Sequence, residues 1–300
     1  MDFLNIHCQV SGITVNILIP PLVAFVISFF TSMGGVSGAF LILPFQMSVL
    51  GFTTPSVSST NFLYNIIGIP AGVYRYIKEG RISLPLTWVI IAGTLPGVFF
   101  GYWIRIKYLP NPATFKFFVG MVLLYIGMKL FKGIFVKGKK LPKKFDESFT
   151  ITNVTFNLKT VEYDFNNEHV TFSTVGMFSL ASVVGIIGGV YGIGGGAIIA
   201  PFCVTVFRLP VYTVSGAALM GTFITSIAGI FLYTIVPIGG IAYPPDWTLG
   251  ILFGLGGLLG MYLGAKTQKY MSEKFIKTML GGIIIFISIK YIYPFLISLF

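Results

Sequence analysis

The stretch GGVYGIGGGAIIAP, residues 188–201, holds six glycines within the nine positions from Gly188 to Gly196 and then continues as an apolar segment. A glycine-rich loop before a helix can bind phosphate through its backbone N–H groups. This stretch has no Lys-Ser or Lys-Thr pair after the glycines, and it lies between two apolar runs. We therefore interpret it as a helix break inside a membrane protein rather than as a phosphate-binding loop.

The composition is that of an integral membrane protein. Hydrophobic residues make up 55% of the chain, charged residues make up 10%, and the mean hydropathy is +0.88, whereas soluble domains are roughly 25% charged. The chain has room for about ten crossings of roughly 20 residues each, so we expect one membrane domain over residues 1–300. In such a protein the net charge of +11 reports orientation, and no nucleic-acid partner is expected.

The apolar runs divide into two sets of five. They fall at 13–33, 39–50, 56–77, 83–104 and 113–136, and then at 172–191, 197–207, 212–236, 246–265 and 275–297. The second run of each set is too short to cross about 30 Å of hydrocarbon as a helix. We predict an all-α polytopic membrane protein with a short or re-entrant broken helix in each half.

The polar break between the two sets spans residues 137–171. It opens with the basic cluster KGKKLPKK at 137–144. Further on, Val154, Phe156 and Leu158 alternate with polar residues. This period of two predicts a small strand or hairpin outside the bilayer.

The two sets also match each other in sequence. Pairs at a constant shift of 157 positions include Gly35 with Gly192, Gly38 with Gly195, Pro44 with Pro201, Ser58 with Ser215 and Gly72 with Gly229. We interpret residues 13–136 and 172–297 as two repeats joined by a loop over 137–171. Glycines at four-residue spacing within these repeats, namely Gly93, Gly97 and Gly101, and Gly256, Gly260 and Gly264, predict close helix packing.

Basic residues set the predicted orientation. The cluster at 137–144, the pair Lys78 and Arg81, and the lysines between 266 and 277 should be cytoplasmic, whereas residues 237–246 have no basic residue and should lie outside. These assignments agree only if each half crosses an odd number of times. The halves are therefore predicted to be inverted, with a cytoplasmic central loop and both termini outside. Arg105 and Lys107 fall on the external side as exceptions.

The positions of the ionisable residues exclude several functions. None of the nine acidic residues falls in the middle of a predicted span, and His7 and His169 also lie outside the spans. Proton-coupled carriers place such groups at membrane depth, so coupling through a buried carboxylate is not expected. A membrane-embedded metalloenzyme or aspartyl protease would need ligands or a carboxylate pair. We expect no enzyme activity, no cofactor and no metal.

Neutral polar residues collect beside the two glycine-rich breaks. The predicted substrate-binding residues are Gly35, Ser37, Gly38, Ser58, Ser59, Thr60, Asn61, Asn65, Gly194, Gly195, Gly196, Ser215 and Thr222, and Tyr191, Thr225 and Ser226 add hydroxyls nearby. Hydroxyl and amide groups can donate hydrogen bonds to an anion, and the N-terminus of a broken helix adds aligned N–H groups. The alternative, of about equal weight, is that these side chains only satisfy backbone groups or join helices.

The sequence resembles the TauE/SafE family of membrane transporters over both halves. The resemblance is carried by GIGGGAIIAPF (192–202) with VSGAALMGTFITSIAG (214–229), and by the more divergent GGVSGAFLILPF (34–45) with VSSTNFLYNIIGIPAG (57–72). In the divergent copy Ser37 and Ala39 stand where the other copy has Gly194 and Gly196. The resemblance implies outward movement of sulfite, sulfoacetate or another organosulfonate.

We therefore expect a multi-pass transporter of the cell (inner) membrane that exports a small sulfur-containing anion through a site between the inverted repeats. The interior-negative potential would drive export with about 2.3 kcal/mol per charge per 100 mV. The expected partners are this anion and the lipid bilayer, and a homodimer is one assembly that the sequence leaves open. The alternatives are an anion channel or a permease for another small anion, and a membrane enzyme or assembly factor handling sulfur compounds, with Cys203 as its nucleophile.

Overall fold

The structure is a computed structural model that describes residues 4–33, 36–135, 151–165, 168–271 and 273–297. Its helices are α1 (Ile19–Met33), α2 (Ala39–Ser48), α3 (Ser56–Lys78), α4 (Leu84–Tyr108), α5 (Pro112–Phe135), α6 (Thr174–Tyr191), α7 (Gly196–Thr205), α8 (Val211–Ile235), α9 (Trp247–Thr267) and α10 (Glu273–Ile297). Each predicted apolar run corresponds to one of these helices. The predicted site residue Gly35 and the basic cluster at 137–144 lie outside the described residues.

Within the described part of the chain, six helices are long and apolar enough to cross a membrane, so the protein is a polytopic membrane protein. These six are α4, α5, α6, α8, α9 and α10. Although α3 has 23 residues, it is not among them, because a largely polar series runs from Ser56 to Asn65. The predicted short helices are confirmed, since α2 and α7 have 10 residues each.

The first apolar run begins as a strand, so the predicted helical segment from residue 13 is wrong at its start. Strand β2 (Ile13–Asn16) pairs antiparallel with β1 (Asn5–Cys8). The β-branched residues of β2 favour an extended backbone. Helix α1 begins only at Ile19, with Pro20 and Pro21 in its first turn, where a missing N–H removes no intrahelical bond.

A second small sheet lies in the polar break between the halves. Strands β3 (Ile151–Phe156), β4 (Thr160–Phe165) and β5 (Glu168–Ser173) are antiparallel with β4 in the middle. This confirms the predicted strand, although Leu158 lies in the connection after β3. The all-α class is therefore corrected to a mostly helical fold with two small sheets.

The second sheet packs against the helical part of the protein through one face of β4. The side chains of Val161, Tyr163 and Phe165 on this face are buried. The hydroxyls of Tyr163 and Thr213, at the start of α8, lie 2.7 Å apart. The Ile151 N–H donates to the carbonyl of Gly80, just after α3, at 3.1 Å. The sheet therefore contacts both halves of the chain.

Glycines allow two pairs of helices to pack at very short distance. Helix α4 packs against α6, and α1 packs against α9. A Cβ on Gly97 of α4 would lie 2.6 Å from the Ser182 carbonyl oxygen and 2.7 Å from the Gly185 carbonyl carbon. Gly260 of α9 approaches the carbonyl oxygen of Phe25 in the same way. The predicted packing role of the two glycine series is confirmed.

Helices α3 and α8 connect the two halves. They pack against each other, and α3 also packs against α9 while α8 packs against α4. The short helix α2 packs against α3, and the short helix α7 packs against α8. Helices α5 and α10 pack against each other. Both short helices therefore lie next to the same central pair.

The contact between α4 and α6 can be tested by adding a side chain to its glycine face. We expect Gly97→Val to lower the free energy of unfolding by about 1–3 kcal/mol, because the new atoms overlap the α6 backbone. Gly282→Ala in α10 is the matched control, since a Cβ there meets nothing within 4 Å. Thermal unfolding of both purified variants measures the difference, and equal melting temperatures would contradict the packing.

Ionisable groups between β4 and β5 predict a pH dependence of the second sheet. The Asp164 side chain accepts hydrogen bonds from Asn153 and His169, which lower the pKa of Asp164 below its ordinary value of 3.8. The hydrogen bond with Asp164 raises the pKa of His169 above its ordinary value of 6.5. The contribution of His169 is full below pH 6.5 and is lost as the pH rises through its raised pKa. The contribution of Asp164 is full above pH 3.8 and is lost as the pH falls through its lowered pKa.

We therefore expect the amides of β4 and β5 to show their highest hydrogen-exchange protection factors between about pH 4 and pH 6.5. The protection should decrease on both sides of this window. The variant His169→Gln should lose the decrease on the alkaline side and keep the decrease on the acidic side. A protection profile that is unchanged by this substitution would show that the pair does not stabilise the sheet.

Candidate functional site

The two glycine-rich breaks place the N-termini of α2 and α7 inside the protein. Helix α2 begins after Gly38 and α7 after Gly195, and each helix contains one proline, Pro44 or Pro201. Both glycines are buried. The first N–H groups of a helix lack intrahelical partners, and its N-terminus carries a partial positive charge. Each break therefore presents an environment that favours negative charge.

The second break depends on glycine for its backbone conformation. Gly192 follows α6 with a φ of 80°, and its N–H donates to the carbonyl of Gly188 at 2.9 Å. Gly194 has a φ of 76°, and a Cβ there would lie 3.0 Å from Thr222 Cγ2 and 3.1 Å from Thr225 Oγ1. Glycine adopts this left-handed conformation without a steric penalty. The chain can therefore turn closely beside α8.

Asn61 of α3 joins the two breaks. Its Nδ2 donates to the Ala39 carbonyl of the first break at 3.1 Å and to the Gly192 carbonyl of the second break at 3.0 Å. The side chain is fully buried, and its Oδ1 has no hydrogen-bond partner among the described residues. One amide of α3 therefore satisfies a backbone carbonyl from each half.

Asn65, one turn further along α3, makes a second junction. Its Nδ2 donates to the Ile193 carbonyl at 3.0 Å and to Ser226 Oγ of α8 at 3.1 Å. Its Oδ1 accepts a short hydrogen bond from the Ser37 hydroxyl, which itself accepts from the Ala39 N–H at 3.2 Å. The first break, the second break and α8 therefore meet at this amide.

The first break also contacts α1 through two residues that are not among the predicted site residues. The hydroxyls of Ser28 and Tyr64 lie 2.7 Å apart. A Cβ on Gly38 would lie 2.5 Å from the Tyr64 hydroxyl, so the tyrosine packs directly against this predicted site residue. A tyrosine at one position of a long helix gives no sequence signal for such a contact.

The predicted site residues of the second half lie against α4 and α8. A Cβ on Gly195 would lie 2.5 Å from Thr94 Cγ2 of α4, and one on Gly196 would lie 2.6 Å from the Thr222 backbone nitrogen. The Thr222 hydroxyl donates to the Ala218 carbonyl of its own helix at 2.8 Å. Ser215 is also buried in α8.

Three consecutive predicted residues at the start of α3 have different neighbours. Ser59 Oγ donates to the Tyr243 carbonyl at 2.7 Å, and Thr60 Oγ1 accepts from the Asp246 N–H at 2.8 Å, so both bind the loop between α8 and α9. Ser58 instead packs against the second break. Its hydroxyl is buried and has no partner in the part of the chain that the structure describes. Ser58 is therefore the one of the three that contacts a break.

The residues around the breaks carry no net charge. In the described ranges there is no group of three or more His, Cys, Asp or Glu residues that could hold a metal ion. The buried carboxylate of Asp246 accepts from the Leu249 N–H at 3.0 Å as the cap of α9 and from the Ser11 hydroxyl at 2.8 Å. The breaks therefore combine neutral donors with two helix N-termini, an arrangement that can bind a small anion.

Comparisons with known proteins identify similar sequences. The family model described as sulfite exporter TauE/SafE matches residues 21–291, which include both breaks. The probable membrane transporter protein YunE of Bacillus subtilis (strain 168) is 24% identical over 277 residues, covering 89% of this chain and 94% of the relative. Both matches are to membrane transporters and not to enzymes. No solved structure matches the chain.

The role of Asn61 as a junction predicts a large loss of stability in Asn61→Leu. Leucine has a similar volume but leaves the Gly192 carbonyl without a donor, at a cost of about 1–3 kcal/mol, and it removes the additional hydrogen bond that joins α3 to the Ala39 carbonyl. The control is Ser182→Ala, whose hydroxyl donates only to its own helix at the Phe178 carbonyl. Thermal unfolding in detergent should show a clearly lower midpoint for Asn61→Leu, and midpoints equal to that of the control would contradict the junction.

Proposed function

Because the chain belongs to the sulfite exporter TauE/SafE family, we propose that it is a secondary transporter of the cell (inner) membrane that exports a small sulfur-containing anion. Sulfite, sulfoacetate and other organosulfonates are the candidate substrates. The observation that carries the proposal is the meeting of both glycine-rich breaks at the amides of Asn61 and Asn65.

The proposed binding site uses neutral donors in place of a buried cation. Amide N–H groups of Asn61 and Asn65, hydroxyls, and the first N–H groups of α2 and α7 surround the point where the breaks meet. A hydrogen bond to an anionic oxygen is roughly twice as strong as one to a neutral oxygen. An anion can therefore replace the backbone carbonyls that now accept from the two asparagines. The proposed lining is Ser37, Gly38, Ser58, Asn61, Asn65, Gly194, Gly195, Gly196 and Thr222, with Ser59, Thr60 and Ser215 remaining predictions.

The packing of the helices supports two repeats of the same architecture. If each helix is replaced by its counterpart in the other half, the α1–α9 pair becomes the α6–α4 pair, and the α3–α9 pair becomes the α8–α4 pair. In each of these four pairs the two helices pack against each other. The pairs α3–α8 and α5–α10 map onto themselves, and both pack together. We propose that the repeats are inverted, with the second sheet on the cytoplasmic side and both termini outside.

Transport in this proposal proceeds by alternating access. The reason is that hydrogen bonds hold the protein closed at both ends of the proposed site. At the outer end, Ser59 and Thr60 hold the loop between α8 and α9. At the inner end, Gln268 accepts from the Tyr76 hydroxyl at 3.1 Å and donates to the Met33 carbonyl, just before the first break, at 2.8 Å. Opening one set of bonds while the other stays closed would expose the site to one side.

An anion channel is the alternative function. It would need no coupling carboxylate either, and it differs from a carrier in turnover. Saturable counterflow in proteoliposomes supports a carrier, whereas unitary currents far above carrier turnover would support a channel. The two closed ends favour the carrier.

The central test is sulfite counterflow in proteoliposomes with Asn65→Ala. We expect the rate to fall at least about tenfold, because the variant lacks a donor to the charged substrate. Asn157→Ala is the matched control, since Asn157 is exposed in the connection between β3 and β4, and this variant should transport like the wild type. Sulfite counterflow that is equal in both variants would contradict the proposed site, and wild-type protein that moves only cations or neutral solutes would contradict the function.

A further inference from the structure

Arg105 is a fully buried cation in the last turn of α4. Its guanidinium carbon lies 3.6 Å from the centre of the Phe115 ring in α5, and its NH1 group donates to the Leu109 carbonyl. Its Nε and NH2 groups are buried and have no hydrogen-bond partner among the described residues. No carboxylate within the described ranges forms an ion pair with it.

Such a guanidinium is too costly to be explained by its structural contacts alone. Burying a charge is strongly unfavourable unless the charge is paired and hydrogen-bonded. An uncharged donor could satisfy the Leu109 carbonyl equally well. The unpartnered Nε and NH2 groups of Arg105 instead match the oxygens of an anion, because the planar guanidinium binds oxyanions through forked donors.

Tyr233 of α8 adds a second unpartnered group beside Arg105. Its ring lies 4.6 Å from the ring of Tyr102, one turn before Arg105, and 6.0 Å from the ring of Phe62. Its hydroxyl is buried without a hydrogen-bond partner in the described part of the chain, and it lies near the guanidinium. The tyrosine is therefore held by its ring, while its hydroxyl remains available to a ligand.

Ser58 connects the cluster of Arg105, Tyr102 and Tyr233 with the two breaks. Its hydroxyl is buried without a hydrogen-bond partner in the described part of the chain, and it is close to the hydroxyl of Tyr233. Ser58, Asn61 and Asn65 recur at spacings of three and four residues, so they share one face of α3. Asn61, Ser58, Tyr233 and Arg105 each carry a buried polar atom without a hydrogen-bond partner among the described residues.

We propose that Arg105, Tyr233 and Ser58 form a second anion site, on the outer side of the central one, which receives the exported oxyanion before release. This inference rests on the proposed function. It explains why a basic residue lies on the external side, contrary to the distribution of the other basic residues. Because Arg105 is fully enclosed, the site binds a small soluble oxyanion rather than the headgroup of a surrounding lipid.

The test is a thermal-shift titration of the purified full-length protein with sodium sulfite at constant ionic strength, with sodium sulfate as a second probe. We expect Arg105→Gln to raise the half-saturating concentration of sulfite about 10- to 100-fold. Arg105→Lys keeps the charge but loses the forked donors, so it should give a smaller increase. Tyr233→Phe should give an increase of about 3- to 10-fold with an unchanged melting temperature in the absence of anion, because the hydroxyl that it removes has no partner.

Lys107→Gln is the matched control, since Lys107 lies on the same helix and is exposed. It should leave the half-saturating concentration unchanged. If Arg105→Gln and Tyr233→Phe fold and bind sulfite with wild-type half-saturation, the outer site is overturned. If Arg105→Gln does not fold, wild-type half-saturation with sulfite in both Arg105→Lys and Tyr233→Phe overturns the outer site.

The variant Asn65→Ala separates the outer site from the proposed function. Anion binding that remains in Asn65→Ala and disappears when Arg105→Gln is added supports the outer site, even if no sulfur anion moves in counterflow. Counterflow that depends on Asn65 but not on Arg105 or Tyr233 supports the function and overturns the outer site. A wild-type protein that neither sulfite nor sulfate stabilises also overturns the outer site, and counterflow then tests the function alone.

Discussion

Two asparagine amides satisfy the backbone of the two helix breaks, and the rest of the central structure depends on them. Inside a membrane, a break in a helix exposes carbonyl and N–H groups that no water can reach. Asn61 and Asn65 donate to the carbonyls of Ala39, Gly192 and Ile193. Without these bonds the carbonyls of Gly192 and Ile193 in the second break would be unpaired, and the hydrogen bonds that join α3 to both breaks would be lost.

We propose that this structural junction is also the binding site. In this proposal, a donor that holds a backbone carbonyl binds an anionic oxygen instead when the two breaks move apart. The structural and the substrate-binding interpretations of the polar residues are compatible in this way. The hydroxyls of Ser59 and Thr60 differ from the others, because they hold the loop between α8 and α9 at Tyr243 and Asp246.

Much of the fold follows from local sequence properties. The number of apolar segments, the two short helices and the glycine faces depend on hydrophobicity, length and residue size, which are read directly from the chain. The start of α1 was misplaced because hydrophobicity alone does not distinguish β2 from the beginning of a helix. Around the breaks, the sequence points to Ser37, Gly38, Asn61 and Asn65 by their position, whereas Tyr64 and Ser28 give no such signal because their contact joins distant helices.

The sequence by itself determined that the chain is a membrane protein, where its helices break, and that the breaks are lined by neutral polar residues. These properties depend on residue type and order along the chain. Only the tertiary structure decided which polar groups meet, because hydrogen bonds such as that between Asn61 and Gly192 join residues from opposite halves. It also decided that Arg105, an exception in the charge pattern, is buried beside Phe115 with its Nε and NH2 groups unpartnered among the described residues, since burial depends on how helices from both halves pack.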